Sequence, residues 1–233
     1  MSRSDDIDVA FETPGPAATP LPRLVGVILT SNMGALIALL TPLQLLLTLH
    51  LTRIAGPGAA AAFGIVTGFG ALFALVANPL AGRISDRTAA RFGRRRTWIL
   101  TGGVSGSLAV FALAFTTEVW QVALVWCLTQ TLFNFQQAAT SALLADQVPP
   151  LRRGTVSGFV GFAAAAGPLI GLTAVSAIAA PVAQWAAVAV ISLILAIVAV
   201  LLLRDPQHTR EPGQSGLNVV ELAKSFWLNP WRH

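Results

Sequence analysis

Between Arg153 and Arg204 the chain runs for fifty residues without a single Asp, Glu, Lys, Arg or His. A water-soluble fold has no use for such a stretch, because its surface helices must show the solvent a polar face. A helix that crosses a bilayer needs about 20 apolar residues, so the run has room for two crossings and the turn between them. The rest of the 233-residue chain agrees. Only 11% of its residues are charged, against about 25% in an ordinary soluble domain.

Six apolar segments emerge, at Leu24–Leu49, Ala59–Ala81, Thr97–Phe115, Val119–Leu144, Thr155–Ile178 and Val182–Leu203. Each is long enough to cross a hydrocarbon core of ~30 Å at about 1.5 Å per residue. Strands of a barrel would alternate polar and apolar residues, which these segments do not, and open backbone in lipid is too costly. The expected fold class is therefore an all-α membrane protein of six transmembrane helices, occupying residues 24–203. Residues 1–23 hold Asp5, Asp6, Asp8, Glu12 and four prolines. They lack the basic start of a cleaved signal and read as a disordered cytoplasmic tail. Residues 204–233 read as a polar cytoplasmic linker, with a short amphipathic helix around Leu217–Trp227.

The basic residues set the expected orientation. With the N-terminus inside, fourteen of the fifteen Lys and Arg residues fall on inner segments and Arg53 alone on an outer one. That bias follows the positive-inside rule and places both termini in the cytoplasm, with the chain in the plasma (cytoplasmic) membrane among its lipids. Orientation thus accounts for the net charge of +5, and no nucleic-acid partner is implied. Trp120 and Trp185 fall at outer helix ends and Trp98 at an inner one, as interfacial anchors do. His50, also at an outer end, reads as an ordinary interfacial residue.

Several functions are excluded by what the spans lack. A single cysteine, Cys127, allows no intrachain disulfide and no multi-thiolate metal site. There is no Gly-x-x-x-x-Gly-Lys phosphate loop and no cluster of His, Asp and Glu within the spans, so neither a cofactor nor an enzyme is expected. Small residues recur at four-residue spacing, in the pairs Gly64 and Gly68, Gly102 and Gly106, Gly154 and Gly158, and Gly167 and Gly171. Such pairs let helices approach closely, and tight packing within the bundle accounts for them. Pro42, Pro79 and Pro168 are positioned to kink or end their helices.

The most informative stretch lies between spans two and three: Asn78-Pro79-Leu80-Ala81-Gly82-Arg83-Ile84-Ser85-Asp86-Arg87-Thr88-Ala89-Ala90-Arg91-Phe92-Gly93-Arg94-Arg95-Arg96. Topology explains the arginines but not the Gly-x-x-x-Asp-Arg and Gly-Arg-Arg spacing. Gly82 allows close helix contact, Asp86 is one acid among six arginines, and Gly93 permits a tight turn. This stretch resembles the signature loop of the major facilitator superfamily. Its longer form, through Thr97-Trp98-Ile99, looks most like the glycoside-cation symporter and sucrose-transporter branch. A second match follows span four, from Ala142 through Asp146, Arg152 and Arg153 to Gly158.

That resemblance implies the N-terminal half of a transporter, itself a 3+3 inverted repeat, which moves a small-molecule substrate between two six-helix halves. It also implies that Gly82, Asp86, Arg87, Gly93, Arg94, Asp146, Arg152 and Arg153 form a cytoplasmic gating latch. Ser225–His233 look like the lead into span seven, so a truncated transporter is expected, lacking its C-terminal half or using a homodimer partner. The family's cation-coupled members carry two acids in span two, where Ala74 and Asn78 stand here, which puts sugar–cation symport in doubt. Gly167-Pro168-Leu169-Ile170-Gly171 resembles the signature of drug exporters, leaving efflux as an alternative beside a non-transporting subunit or remnant.

In the family, spans one and four line the cavity. Span four carries Gln130, Asn134, Gln137 and Ser141 at spacings of 4, 3 and 4, which puts them within about 40° of one face. Trp126 lies one turn earlier. Amides hydrogen-bond hydroxyls in both directions, and an indole stacks on a sugar face. Span one offers Thr41 and Gln44 on one stripe, with Asn32 on the other side as the competing choice.

Overall fold

The computed structural model describes residues 19–88 and 93–204, except the side chains of Asp86 and Arg87. The tail before Thr19, Ala89–Phe92 and the linker after Arg204 lie outside the described residues, as does the helix expected around Leu217–Trp227. Among the described residues the fold is helical and contains no strand.

The helices are α1 (Leu21–Thr41), α2 (Leu47–Ala55), α3 (Ala59–Arg87), α4 (Arg94–Ala112), α5 (Val119–Gln147), α6 (Arg153–Ser176) and α7 (Pro181–Leu202). Each expected apolar segment is helical over most of its length. Four helical stretches are apolar and long enough to cross a membrane by composition alone: Leu21–Ser85, Arg94–Phe115, Pro150–Ser176 and Pro181–Leu202. The first is 65 residues long and is interrupted by the Gly56–Gly58 turn, where Gly56 takes φ 50°. Helix α5 is more polar, carrying Gln130 just before its midpoint and Asn134, Gln136 and Gln137 just after it.

The prolines behave differently from one another. Pro79 and Pro168 sit inside unbroken helices. Pro42 lacks the N–H that would close the ladder and opens a π-turn over Pro42–Leu46, before α2 resumes. This wider turn rotates everything beyond it.

The principal packing pairs are α1 with α5, α6 and α7, α5 with α3 and α4, and α4 with α7. Glycines permit the closest approaches. A Cβ on Gly102 would stand 2.8 Å from the Leu132 carbonyl oxygen, and one on Gly103 would stand 2.5 Å from the Ala196 Cβ. Gly171 lies against the Thr41 hydroxyl and Gly167 against Leu36. By contrast, a Cβ on Gly64, Gly68, Gly154 or Gly158 would meet nothing within 4 Å. Packing within the bundle therefore accounts for two of the four glycine pairs.

Hydrogen bonds fix which helix ends lie together. The Thr19 hydroxyl donates to the Arg204 carbonyl (2.8 Å) and accepts from the Arg204 N–H (3.0 Å). Thr19 N–H donates to Gln147 Oε1 at 3.4 Å. The start of α1 and the ends of α5 and α7 thus share one end of the bundle. At the opposite end, His50 Nε2 lies 2.9 Å from Thr116 Oγ1 and 3.1 Å from the Thr116 carbonyl oxygen. The Thr116 hydroxyl donates to Leu113 (2.8 Å), so Nε2 carries the hydrogen. The imidazole also sits edge-on to Trp185, with ring centroids 6.0 Å apart. His50 and Trp185 are both buried, which corrects their expected interfacial placement: each covers the other.

Candidate functional site

At the end that holds Thr19 and Arg204, three helix termini converge on Asp146. Gly93 takes φ 94°, the left-handed backbone that turns the chain into α4. The first turn of α4 then presents Arg94 and Arg95. Arg95 donates to Asp146 Oδ2 from Nη2 at 2.8 Å and from Nε at 3.1 Å, and from Nη1 to the Ser85 hydroxyl at 3.0 Å. Arg94 Nη2 reaches the same Oδ2 at 3.2 Å. The arginine side chain of the closer pair is 5% exposed and the Asp146 side chain 38%.

Helix electrostatics explain why this cluster needs both signs. Asp146 stands in the last turn of α5, where the carbonyl end of the helix disfavours an anion. The two guanidinium groups offset that. Arg153 completes the neutralisation of the same terminus, donating from Nη2 to the Ala145 carbonyl at 3.0 Å and from Nε to Val148 at 3.2 Å. Arg153 therefore meets backbone rather than Asp146. Arg152 closes the short turn ahead of α6. Asp86 and Arg87 occupy the last turn of α3, and their side chains lie outside the described residues. Gly82 has no described atom within 4 Å of where a Cβ would stand, so the close contact expected there is not made among the described residues. Arg95 and Ser85 are members that sequence reasoning did not single out, although both stand inside the signature stretch.

The expected solute-binding residues divide into two groups. On α5, Gln130, Asn134 and Gln137 are half-buried and Ser141 is exposed, so this stripe is accessible along its length. Asn134 Nδ2 also donates to the Gln130 carbonyl at 2.7 Å. Trp126 does not join them. It is fully buried, with Nε1 only 2.5 Å from where a Cβ on Gly70 of α3 would stand. Its indole fills the α3–α5 contact and offers no face to a sugar. Thr41 is likewise buried, while Gln44 is exposed. The π-turn at Pro42 separates two residues that an uninterrupted α-helix would hold on one stripe. Asn32 is buried and donates to the Ile28 carbonyl at 2.8 Å.

A polar group that sequence reasoning missed lies one residue from the stripe. Gln136 is fully buried, and its Nε2 donates to both the carbonyl and the hydroxyl of Ser31, each at 3.1 Å. The Ser31 hydroxyl is 2.6 Å from that of Thr140. This node ties α1 to α5, seated against Gly103 of α4. The facing Gly102-Gly103-x-x-Gly106 run was the available signal: a notch in one helix marks a bulky neighbour in the next. Among the described residues, no group of three or more His, Cys, Asp or Glu side chains is gathered to hold a metal ion.

An apolar helical bundle with a basic, ion-paired end suits a membrane protein, and comparison with known proteins agrees. The sequence profile of the Major Facilitator Superfamily matches residues 24–233, and the chain belongs to that family; it is a multi-pass membrane protein. It is 30% identical over 100 residues to the multidrug resistance protein MdtG of Proteus mirabilis (strain HI4320), a match covering 43% of this chain and 23% of that protein. It is 31% identical over 99 residues to the sucrose transport protein SUT1 of Oryza sativa subsp. japonica, covering 33% of this chain and 18% of that one. The matched stretch is thus less than a quarter of either relative's length.

Proposed function

We propose that the chain is the N-terminal six-helix half of a secondary transporter that moves a small polar solute by alternating access. The observation that carries this reading is the accessible stripe Gln130, Asn134, Gln137 and Ser141 on α5. In hydrocarbon each unsatisfied polar group costs on the order of several kcal/mol, so a face of this kind belongs on a water-filled passage. Gln44 on the first span is also exposed. Amide groups that both donate and accept suit a hydroxyl-rich solute such as a sugar.

The packing pattern supports six spans built as two three-helix repeats. Exchange α1 with α5, α3 with α6 and α4 with α7. The α3–α5 contact becomes α6–α1, α4–α5 becomes α7–α1, and α1–α5 and α4–α7 return to themselves. The principal contacts are closed under that exchange. The two helices with uncovered glycine pairs, α3 and α6, are also exchange partners. Their open faces suit a second six-helix bundle, and a second copy of this chain is the competing occupant. With the basic end in the cytoplasm by the positive-inside rule, both described ends lie on the cytoplasmic side of the plasma membrane. There Asp146, Arg94 and Arg95, with Gly82, Asp86, Arg87, Gly93, Arg152 and Arg153 around them, serve as the gating latch, biasing one of two bundle arrangements.

Thiol accessibility tests the passage. In a Cys127→Ser background, Asn134→Cys and Ser141→Cys should react with a membrane-impermeant thiol reagent. Ile194→Cys, at a position 52% exposed in the middle of the apolar helix α7, should not. Failure of Asn134→Cys to react from either side would overturn the reading. Protection of Asn134→Cys by sugars would support a sugar-like solute. Protection by lipophilic cations would instead favour drug efflux, the second reading. That reading draws on the MdtG match and on the close seating of Gly167 and Gly171 against α1.

A further inference from the structure

Between α3 and α5 runs an open groove of about 960 Å³. Its walls are apolar: Ile65, Phe69 and Phe73 on one side, Leu124 and Leu128 on the other. One end is headed by Glu118 and Trp120, at the end of the bundle opposite Asp146, and the other reaches Thr131. The groove is separate from the amide stripe, and it lies on the flank of α3, away from the outward face that carries Gly64 and Gly68.

We propose that this groove holds one acyl chain of a phospholipid whose headgroup carries a primary ammonium, bound by Glu118. Three observations select that occupant. The span of α5 from Glu118 to Thr131 measures ~20 Å at about 1.5 Å per residue, enough to run from the interface through one leaflet of a ~30 Å core. Trp120 is 65% exposed at the mouth, where an indole meets the headgroup layer. The charge at the mouth is negative and fixed in place. The Glu118 carboxylate accepts the N–H of Gln121, whose Oε1 in turn accepts from the N–H groups of Glu118 (3.3 Å) and Thr117 (2.8 Å). The second carboxylate oxygen remains for a ligand. Glu118 is the acid at this end among the described residues; Asp86 and Asp146 stand at the other.

A primary ammonium donates three hydrogens to a carboxylate, a quaternary ammonium none, and an anionic glycerol headgroup is repelled. The expected order of retention is therefore phosphatidylethanolamine, then phosphatidylcholine, then phosphatidylglycerol. Native mass spectrometry of the full chain, titrated with the three lipids bearing identical acyl chains, reads this directly. We expect at least a five-fold preference for the ethanolamine lipid over the glycerol lipid. Glu118→Gln retains an oxygen for the helix cap and should remove the preference. Leu124→Trp fills the groove and should lower the most tightly retained lipid whatever its headgroup, with helicity by circular dichroism unchanged in both variants. Equal retention of the three lipids by the native chain, or an undiminished preference in Glu118→Gln, would overturn the proposal. So would a dimer that Leu124→Trp dissociates, since the groove would then hold a second copy.

Discussion

Two surfaces of this bundle carry the same sequence signal and differ in what they touch. Gly102 and Gly106 of α4 face α5 across a gap too narrow for any side chain, and Gly171 of α6 lies on the Thr41 hydroxyl of α1. Gly64 and Gly68 of α3, and Gly154 and Gly158 of α6, have the same spacing and face open space. A four-residue glycine spacing therefore marks a helix face able to approach another closely. It does not say whether the partner belongs to the same bundle. In lipid there is little hydrophobic drive to close such a face, so its filling depends on a matching surface being available.

The largest effect that sharpens this contrast is expected at Gly102. A methyl there would press on the Leu132 carbonyl oxygen at 2.8 Å and the Gln136 nitrogen at 2.9 Å. Neither backbone atom can swing aside, so the helices must separate. Gly102→Ala should destabilise the bundle by about 1–3 kcal/mol, as overpacking does. A fall of several degrees in apparent Tm would show it. An unchanged Tm would mean that the α4–α5 contact is looser than its geometry.

Next in size is the ionic end. Asp146→Asn leaves Arg95, almost wholly buried, facing an amide in place of a carboxylate. Because Asp146 is itself 38% exposed, water screens part of the loss, and about 1–2 kcal/mol is expected rather than the full cost of breaking a buried pair. The same substitution should alter accessibility at Ser141→Cys, one to two turns along α5, if the cluster biases the bundle between two arrangements. A lowered Tm with unchanged labelling would make the cluster structural only. Arg153→Ala removes a cation from the α5 terminus and two hydrogen bonds to its carbonyls. Its expected cost is smaller, about 0.3–1 kcal/mol.

How far the sequence spoke for each of these features depended on local contrast. The helical segments were legible because fifty uncharged residues permit little else. The basic loop was legible because Gly82, Asp86 and Arg87, then Gly93 and Arg94, stand in a recognisable spacing. What the sequence did not show is which side of an apolar helix points inward. In a soluble helix a polar stripe marks the outside; α7 has none, so the burial of Trp185 left no trace. Pro42 was marked as a place to kink or end the helix, but not as the start of a π-turn that leaves Thr41 in the interior and Gln44 outside. On α5, Gln136 and Gln137 look alike in sequence. A 100° step puts one in the buried node with Ser31 and Thr140 and the other on the accessible stripe. Only the glycine notch in α4 distinguishes them.

The smallest expected effect is the most informative about the outer surfaces. Gly68→Ala and Gly158→Ala place a methyl where nothing lies within 4 Å, so within the bundle the change has no steric cost. Alanine also restrains the chain better than glycine, which favours the helix by about 0.4–1 kcal/mol. In the isolated chain both variants should melt at or slightly above the native temperature. The outcome should reverse wherever a partner covers these faces. Bulkier Gly68→Leu and Gly158→Leu should then leave the isolated bundle intact yet weaken its association with a second bundle or a second copy, read by co-purification or by oligomeric mass. If Gly68→Leu instead lowered the Tm of the chain alone, the α3 face would be filled by the chain itself, and the contrast between the two kinds of glycine pair would fail.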